Sequence, residues 1–115
     1  MAEDIRAHAR QIPISSQKVR LVINMVRGKG VLDAFNILKF ETNKAAQPVL
    51  KLISSAVANA EENFGISRDD LFIHNIFADA GPTRRWRRFG ARGRFKPLLR
   101  RSSHITVVLR ERDGL

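Results

Sequence analysis

Residues 84–96, which read RRWRRFGARGRFK, hold seven basic side chains, three aromatics and no acid. Arginine guanidinium groups donate paired hydrogen bonds to phosphate, and aromatic rings stack on exposed bases. Left alone, the segment repels itself and has too little aliphatic surface to form a core. This composition therefore predicts a partner outside the chain that supplies negative charge.

The positive charge of the chain is concentrated in one region. The 115 residues carry a formal net charge of +10; residues 80–110 contain ten basic residues and no acid, and elsewhere the charges balance. Such a cationic segment points to nucleic acid as the partner first and to an anionic membrane surface second. No apolar run approaches the roughly 18 residues of a membrane span, so we expect a soluble, cytoplasmic protein with no membrane partner.

The residues that catalysis or metal binding would use are few and scattered. Cysteine is absent, which excludes disulfides and thiolate ligands. His8, His74 and His104 have no partner at metal-ligand spacing. Ser103 and His104 are neighbours on a predicted strand, where adjacent side chains point to opposite faces. We therefore expect no enzyme, no metal, no cofactor and no small-molecule substrate.

Apolar residues at a spacing of three to four predict three helices. The first follows a cap at Ser15 or Ser16 and ends at Gly28, and the second covers Val31 to Phe40. The third starts between Asn43 and Pro48 and runs to Phe64, with Gly65 as its terminator. The residues expected in the core are Val19, Val22, Ile23, Val26, Ala34, Phe35, Leu38, Val49, Ile53, Val57, Ala60 and Phe64.

Three further segments predict strands. Residues 4–12 alternate small apolar with basic residues, and residues 71–78 and 103–110 are rich in β-formers. The resulting order, β-α-α-α-β-β, predicts an α+β domain over residues 1–115, with three helices packed on a small antiparallel three-stranded sheet.

The arginine-rich segment lies between the last two strands and predicts a long basic β-hairpin over about residues 80–101. Gly90 and Gly93 lie near its midpoint, where a turn needs backbone freedom. Each arm would hold about nine residues and reach on the order of 30 Å, so the hairpin should protrude from the body. The alternative is a disordered cationic linker, but a linker would not need a β-rich strand on each side.

Several ordered sequence blocks resemble the bacterial family of large-ribosomal-subunit protein twenty-two, along essentially the whole chain. The blocks are ISSQKVRLV (14–22), RGK (27–29), NK (43–44), SAVANAEEN (55–63), GP (81–82), ARGR (91–94) and RRSSHITVVL (100–109). The resemblance implies a structural protein that binds the large-subunit (23S-type) ribosomal RNA and supports subunit assembly. It also implies neighbouring ribosomal proteins and the nascent polypeptide as partners. The body would sit near the peptide exit, and the hairpin would line the nascent-peptide tunnel.

The resemblance also suggests which residues contact RNA. On the hairpin they are Arg84, Arg85, Trp86, Arg87, Arg88, Arg92, Arg94, Lys96, Arg100 and Arg101. On the body they are Ser15, Lys18, Arg20, Arg27, Lys29 and Lys44. The tip that would line the tunnel is Phe89, Gly90, Ala91, Arg92 and Gly93.

The chain departs from the family pattern at Ser16, where proline is usual, at Ala80, where an acid is usual, and at Phe89-Gly90 and Phe95 near the tip.

Two other function classes are weaker. A DNA-binding protein could place the hairpin in a groove of duplex DNA, but no helix-turn-helix or zinc-finger spacing is present. A small enzyme would need an assembled catalytic set, which the sequence lacks. Structural binding of ribosomal RNA is the function that the sequence favours.

Overall fold

The computed structural model describes the backbone of residues 4–82, 84–89 and 95–112, and the side chains of residues 4–82 and 101–112. Its helices are α1 (Ser16–Ile23), α2 (Val31–Lys39) and α3 (Ala46–Phe64), followed by a short 3₁₀ turn at Arg68–Asp70. Its strands are β1 (Ile5–Ile12), β2 (Leu71–Ala80), β3 (Arg84–Phe89), β4 (Phe95–Arg100) and β5 (Ser103–Glu111). The predicted α+β class, with three helices and a three-stranded antiparallel sheet, is confirmed.

The last strand in sequence is the central strand of the sheet. The order is β1-β5-β2, and both pairings are antiparallel. Ile105, Val107 and Leu109 on β5 are fully buried, because helices α1 and α3 pack on that face of the sheet. The helices thus cover one face of the sheet and meet its alternating apolar residues.

A bulge keeps the apolar residues of β2 on the buried face. Leu71 and Ile73 are buried, the register against β5 then shifts between Ile73 and Asn75, and Ile76 and Ala78 are buried next. A strict period of two from Leu71 would have placed Ile76 on the opposite face. One additional residue restores the inward orientation, as bulges do.

Helix α1 begins as predicted and ends earlier than predicted. The hydroxyl of Ser15 accepts a hydrogen bond from the Lys18 amide at 3.4 Å, which confirms the amino-terminal cap. The prediction that Gly28 stops the helix was wrong, since the helix ends at Ile23 with Asn24 as its cap. Gly28 has φ +80° and donates its N–H to the carbonyl of Ile73 at 2.9 Å, so this segment runs beside β2.

Helix α3 starts within the predicted window and ends at the predicted residue. Pro48 is its third residue, where an amide would have no partner inside the helix. Gly65 adopts φ +64° and forms the left-handed cap. Two predicted core residues are corrected: Phe64 is 45% exposed because it lies in the last turn, and Phe35 is only partly buried.

Ser103 is a buried polar residue in an apolar environment. It lies on β5 between Ile12 and Ala80, it is fully buried, and its hydroxyl has no hydrogen-bond partner among the described residues.

An unpaired buried hydroxyl costs stability, so we expect Ser103→Ala to raise the free energy of unfolding by about 1 kcal/mol. Urea unfolding of both proteins measures this. The control is Ser102→Ala, whose hydroxyl donates to Pro82 O at 2.9 Å, and which should not stabilise the chain. A less stable Ser103→Ala variant would contradict the expectation.

Candidate nucleic-acid interface

The strands that carry the arginine-rich segment, β3 and β4, form a two-stranded sheet of their own that lies between β2 and β5 in sequence. Gly81 N–H donates to Ser102 O at 2.9 Å, just beyond the last registered pair of β2 and β5, Ala80 with Ser103. Strands β3 and β4 then pair antiparallel from Arg84↔Arg100 to Phe89↔Phe95. We call residues 84–100 the arm and residues 80–82 with 101–102 its root. The strand pairing lies where the hairpin was predicted; the predicted turn, residues 90–94, lies outside the described residues, and protrusion of the hairpin stays a prediction.

The two sides of the root differ in length by one residue. From the Ala80↔Ser103 pair to the Arg84↔Arg100 pair, the outgoing strand advances four residues and the returning strand three. One additional residue on one strand of an antiparallel pair increases the local twist and bends the ribbon.

The register of the arm places like charges opposite each other. Arg84 is paired with Arg100 and Arg88 with Lys96. Like charges directly across an antiparallel pair destabilise it. An anion bound along these strands would remove that repulsion, so the register supports the prediction of a polyanionic partner. Arg92 and Arg94, with the predicted tip residues Gly90, Ala91 and Gly93, lie outside the described residues.

An open groove of about 1260 Å³ lies where the root meets the body. Three parts of the chain form its walls: the loop entering α1 with the first turn of that helix, the turn before α3, and the root. The lining residues are Pro13, Ile14, Ser15, Ser16, Gln17, Lys18, Arg20, Asn43, Lys44, Ala80, Gly81, Arg101 and Ser102. Among the described lining residues, four are basic and none is acidic, so the groove suits an anion.

The groove brings together five of the residues predicted to bind RNA: Ser15, Lys18, Arg20, Lys44 and Arg101. They come from distant parts of the sequence and meet only in the folded chain. The other two predicted body residues, Arg27 and Lys29, lie outside the groove beside β2, where Lys29 O accepts a hydrogen bond from Ile73 N–H at 2.8 Å.

Local hydrogen bonds fix the turn that carries Lys44. The Asn43 side chain accepts from the Ala45 amide at 3.0 Å, and the Glu41 carboxylate accepts from the amides of Thr42 and Asn43. These bonds resemble the Asx turns that short polar side chains favour. Their effect is to hold the Lys44 backbone beside the start of α1.

A strained residue that sequence reasoning missed lies at the end of β1. Gln11 has φ +55°, a left-handed conformation that is costly for a residue with a side chain. Its N–H donates to Nδ1 of His104 at 3.1 Å, at a register shift between Ala9 and Ile12. The bulge directs the following residues, Pro13 and Ile14, into the groove wall. In the sequence, Pro13 indicated only that β1 ends there. Nothing in the sequence indicated the contact between Gln11 and His104.

Position 81 requires a glycine for a structural reason that the sequence did not reveal. A Cβ at this position would lie 2.5 Å from the Ser102 hydroxyl and 3.3 Å from the His104 ring. The glycine therefore permits the close approach of the two root strands. The His104 ring and the Ser102 hydroxyl are both engaged in contacts that fix the root.

The ion pairs of the body neutralise acids away from the groove. Arg110 hydrogen-bonds Asp4 and lowers the pKa of that carboxyl, and Arg68 acts likewise on the pKa of Glu61. Both pairs are exposed to solvent, so each contributes little to stability. Their acids do not line the groove, and neither acid pairs with a basic residue of its lining.

The same described ranges offer neither a metal site nor a membrane-spanning helix. No group of three histidine, aspartate or glutamate residues there could hold a metal ion. No helix in that part of the chain is long and apolar enough to cross a membrane.

Comparison with known proteins shows the family to which the chain belongs. Residues 7–110 match the family model described as ribosomal protein L22p/L17e. The chain is also 45% identical, over 98% of its own length and 98% of the relative's, to the large ribosomal subunit protein uL22 of Pediococcus pentosaceus. The residues matched by the family model include all those of the groove and the arm. The chain therefore belongs to the ribosomal protein L22p/L17e family and is a protein of the large ribosomal subunit.

Proposed function

We propose that the groove and the arm together form one basic surface that binds large-subunit ribosomal RNA. The observation that supports this most directly is the position of the groove at the root, where Lys18, Lys44 and Arg101 lie beside the strands that enter the arm. Cations from the body and from the root thus lie together in the groove, with no acid among its described lining residues. A folded RNA presents phosphates at many angles and could occupy both parts at once.

The groove would hold phosphate groups of the RNA backbone. Lysine acts as a point charge toward phosphate, and arginine donates paired hydrogen bonds. The start of α1 adds partial positive charge to the same wall, because its first amides point away from the helix. Such contacts would position the body on the RNA and carry little sequence information.

The arm would reach inward between RNA segments and line the nascent-peptide tunnel with its tip, residues 89–93. Six paired residues on each side give a ribbon of about 20 Å at ~3.3 Å per residue. Isolated two-stranded ribbons are marginal in water, so the surrounding RNA would supply the stability. The body would then lie at the subunit surface near the peptide exit, beside neighbouring ribosomal proteins, and the contacts would support subunit assembly in the cytoplasm.

The salt dependence of RNA binding tests the phosphate contacts. We expect the affinity of the full chain for large-subunit ribosomal RNA to fall by about a thousandfold or more between 50 and 200 mM salt, since each neutralised phosphate releases counterions. Titrations followed by fluorescence anisotropy at several salt concentrations measure the slope. An affinity that hardly changes with salt would contradict the proposal, and equal affinity for duplex DNA would favour the DNA-binding alternative.

Sedimentation tests the assignment in the cell. The endogenous chain should run with large subunits in a sucrose gradient and remain with them at high salt, because the arm would be enclosed by RNA. A chain that salt strips from the subunit would contradict an enclosed arm and indicate a surface contact alone.

A further inference from the structure

Strand β2 is an edge strand, yet much of its outer edge is occupied. Gly30 forms a bridge with Phe72, and the backbone of Ile73 both donates to Lys29 O at 2.8 Å and accepts from Gly28 N–H at 2.9 Å. The segment after α1 therefore acts as a short fourth strand along the first part of β2. Edge strands without such cover present free N–H and C=O groups to other chains.

Beyond the bulge, side chains rather than backbone groups form the hydrogen bonds to the outer edge of β2. The carbonyl of Ile76 accepts from Nη2 of Arg27 at 2.6 Å, and the carbonyl of Ala78 accepts from Nη2 of Arg20 at 3.0 Å. The amide of Ile76 donates to the Asn75 side chain at 2.9 Å. Side-chain groups thus continue the cover toward the root.

We propose that Arg20 and Arg27 are positioning residues that close the outer edge of β2 and hold α1 against the root. Arg20 comes from α1 and Arg27 from the turn that follows it, and α1 packs against β2. Ala78 lies two residues before Ala80, which lines the groove. The two guanidinium groups therefore set how the groove wall made by α1 meets the wall made by the root.

The geometry explains why arginine is suited to both positions. Arg27 donates through Nη2 to Ile76 O and, at 2.7 Å, through Nη1 to Asn24 Oδ1, so one planar group bridges the end of α1 and β2. A lysine ammonium lacks this fixed fork. The bonded carbonyls are partly buried, where a charged donor is worth more than at the open surface.

Two double variants that each remove two positive charges test this role. Arg20→Met with Arg27→Met removes the edge donors, of which Arg20 also lines the groove, and keeps the aliphatic stems. Lys18→Met with Lys44→Met removes two groove cations and leaves the edge donors in place. Neither lysine side chain has a hydrogen bond within the described ranges. The readouts on the free protein are the thermal midpoint and the hydrogen exchange of amides 75–79, and neither depends on the proposed function.

We expect the arginine double variant to exchange about tenfold faster at amides 75–79 and to have a lower thermal midpoint, since it loses hydrogen bonds from charged donors. The lysine double variant should keep the parent values. Unchanged exchange in the arginine variant would overturn the inference. If that variant does not fold, the single variants decide it: Arg27→Met should expose amides near Ile76, and Arg20→Met amides near Ala78.

RNA titration of the same variants separates this inference from the proposed function. The lysine variant should lower the salt slope by about 1.5, at ~0.7 to 0.9 per lost phosphate contact. An unchanged slope in the lysine variant would count against the groove as an RNA site and leave the edge role of the arginines intact.

Discussion

A chain that lacks Arg84–Lys96 is expected to bind large-subunit ribosomal RNA on the order of a thousandfold more weakly and still fold cooperatively. The deletion removes seven basic residues. Binding becomes weaker because fewer phosphates are neutralised and fewer counterions are released. All buried residues of the described core lie before Gly81 or after Ser102, so the body keeps its packing. The salt slope of binding should fall by roughly five, at ~0.7 per contact.

The matched control keeps the length of the arm and replaces the arginines of residues 84–96 by lysine. This variant should retain most of the salt slope, because counterion release depends on charge; any loss of affinity measures the paired hydrogen bonds that only arginine makes. Thermal unfolding completes the experiment. A broad, non-cooperative transition in the deletion would show that the arm belongs to the core, and an unchanged affinity would place the binding in the groove alone.

The second large effect concerns the core. Ile105 lies fully buried on the central strand, with the small residues Ala9 and Ala78 as its register partners on either side. Because neither alanine can fill the space that a truncated side chain leaves, we expect Ile105→Ala to lower the free energy of unfolding by about 3 to 4 kcal/mol. This is a large part of the roughly 5 to 15 kcal/mol that stabilises a typical domain.

Denaturant unfolding of Ile105→Ala measures this cost, and Leu21→Ala is its control. Leu21 is 64% exposed on α1, so its truncation should change stability by no more than about 0.5 kcal/mol. Equal losses in the two variants would contradict the assigned core. The RNA affinity of folded Ile105→Ala at low temperature should match the parent, because the substitution leaves the groove and the arm unchanged.

Local signals predicted most of the elements. The Ser15 cap and the Gly65 terminator depend on neighbours in the sequence, and both were confirmed. The alternation held only in part, because a bulge interrupts it in β2, and Thr106 and Val108 of β5 are buried as well. The errors occurred where packing overrode a local signal. Gly28 suggested the end of a helix, but its N–H donates to the carbonyl of Ile73, which lies far along the sequence. Likewise, the Arg20 guanidinium donates to the carbonyl of Ala78, 58 residues away, and no local signal indicates that contact.

The sequence by itself predicted a polyanionic class of partner, because the segregation of charge into residues 80–110 does not depend on how the chain folds. It also determined the α+β class, since periodicity and caps act locally. Only the tertiary structure decided that β5 is central, that Ser15, Lys18, Lys44 and Arg101 share one groove, and that Arg20 and Arg27 turn to the edge of β2. The physical reason is that these arrangements depend on contacts between residues far apart in the chain, whose partners no local pattern specifies.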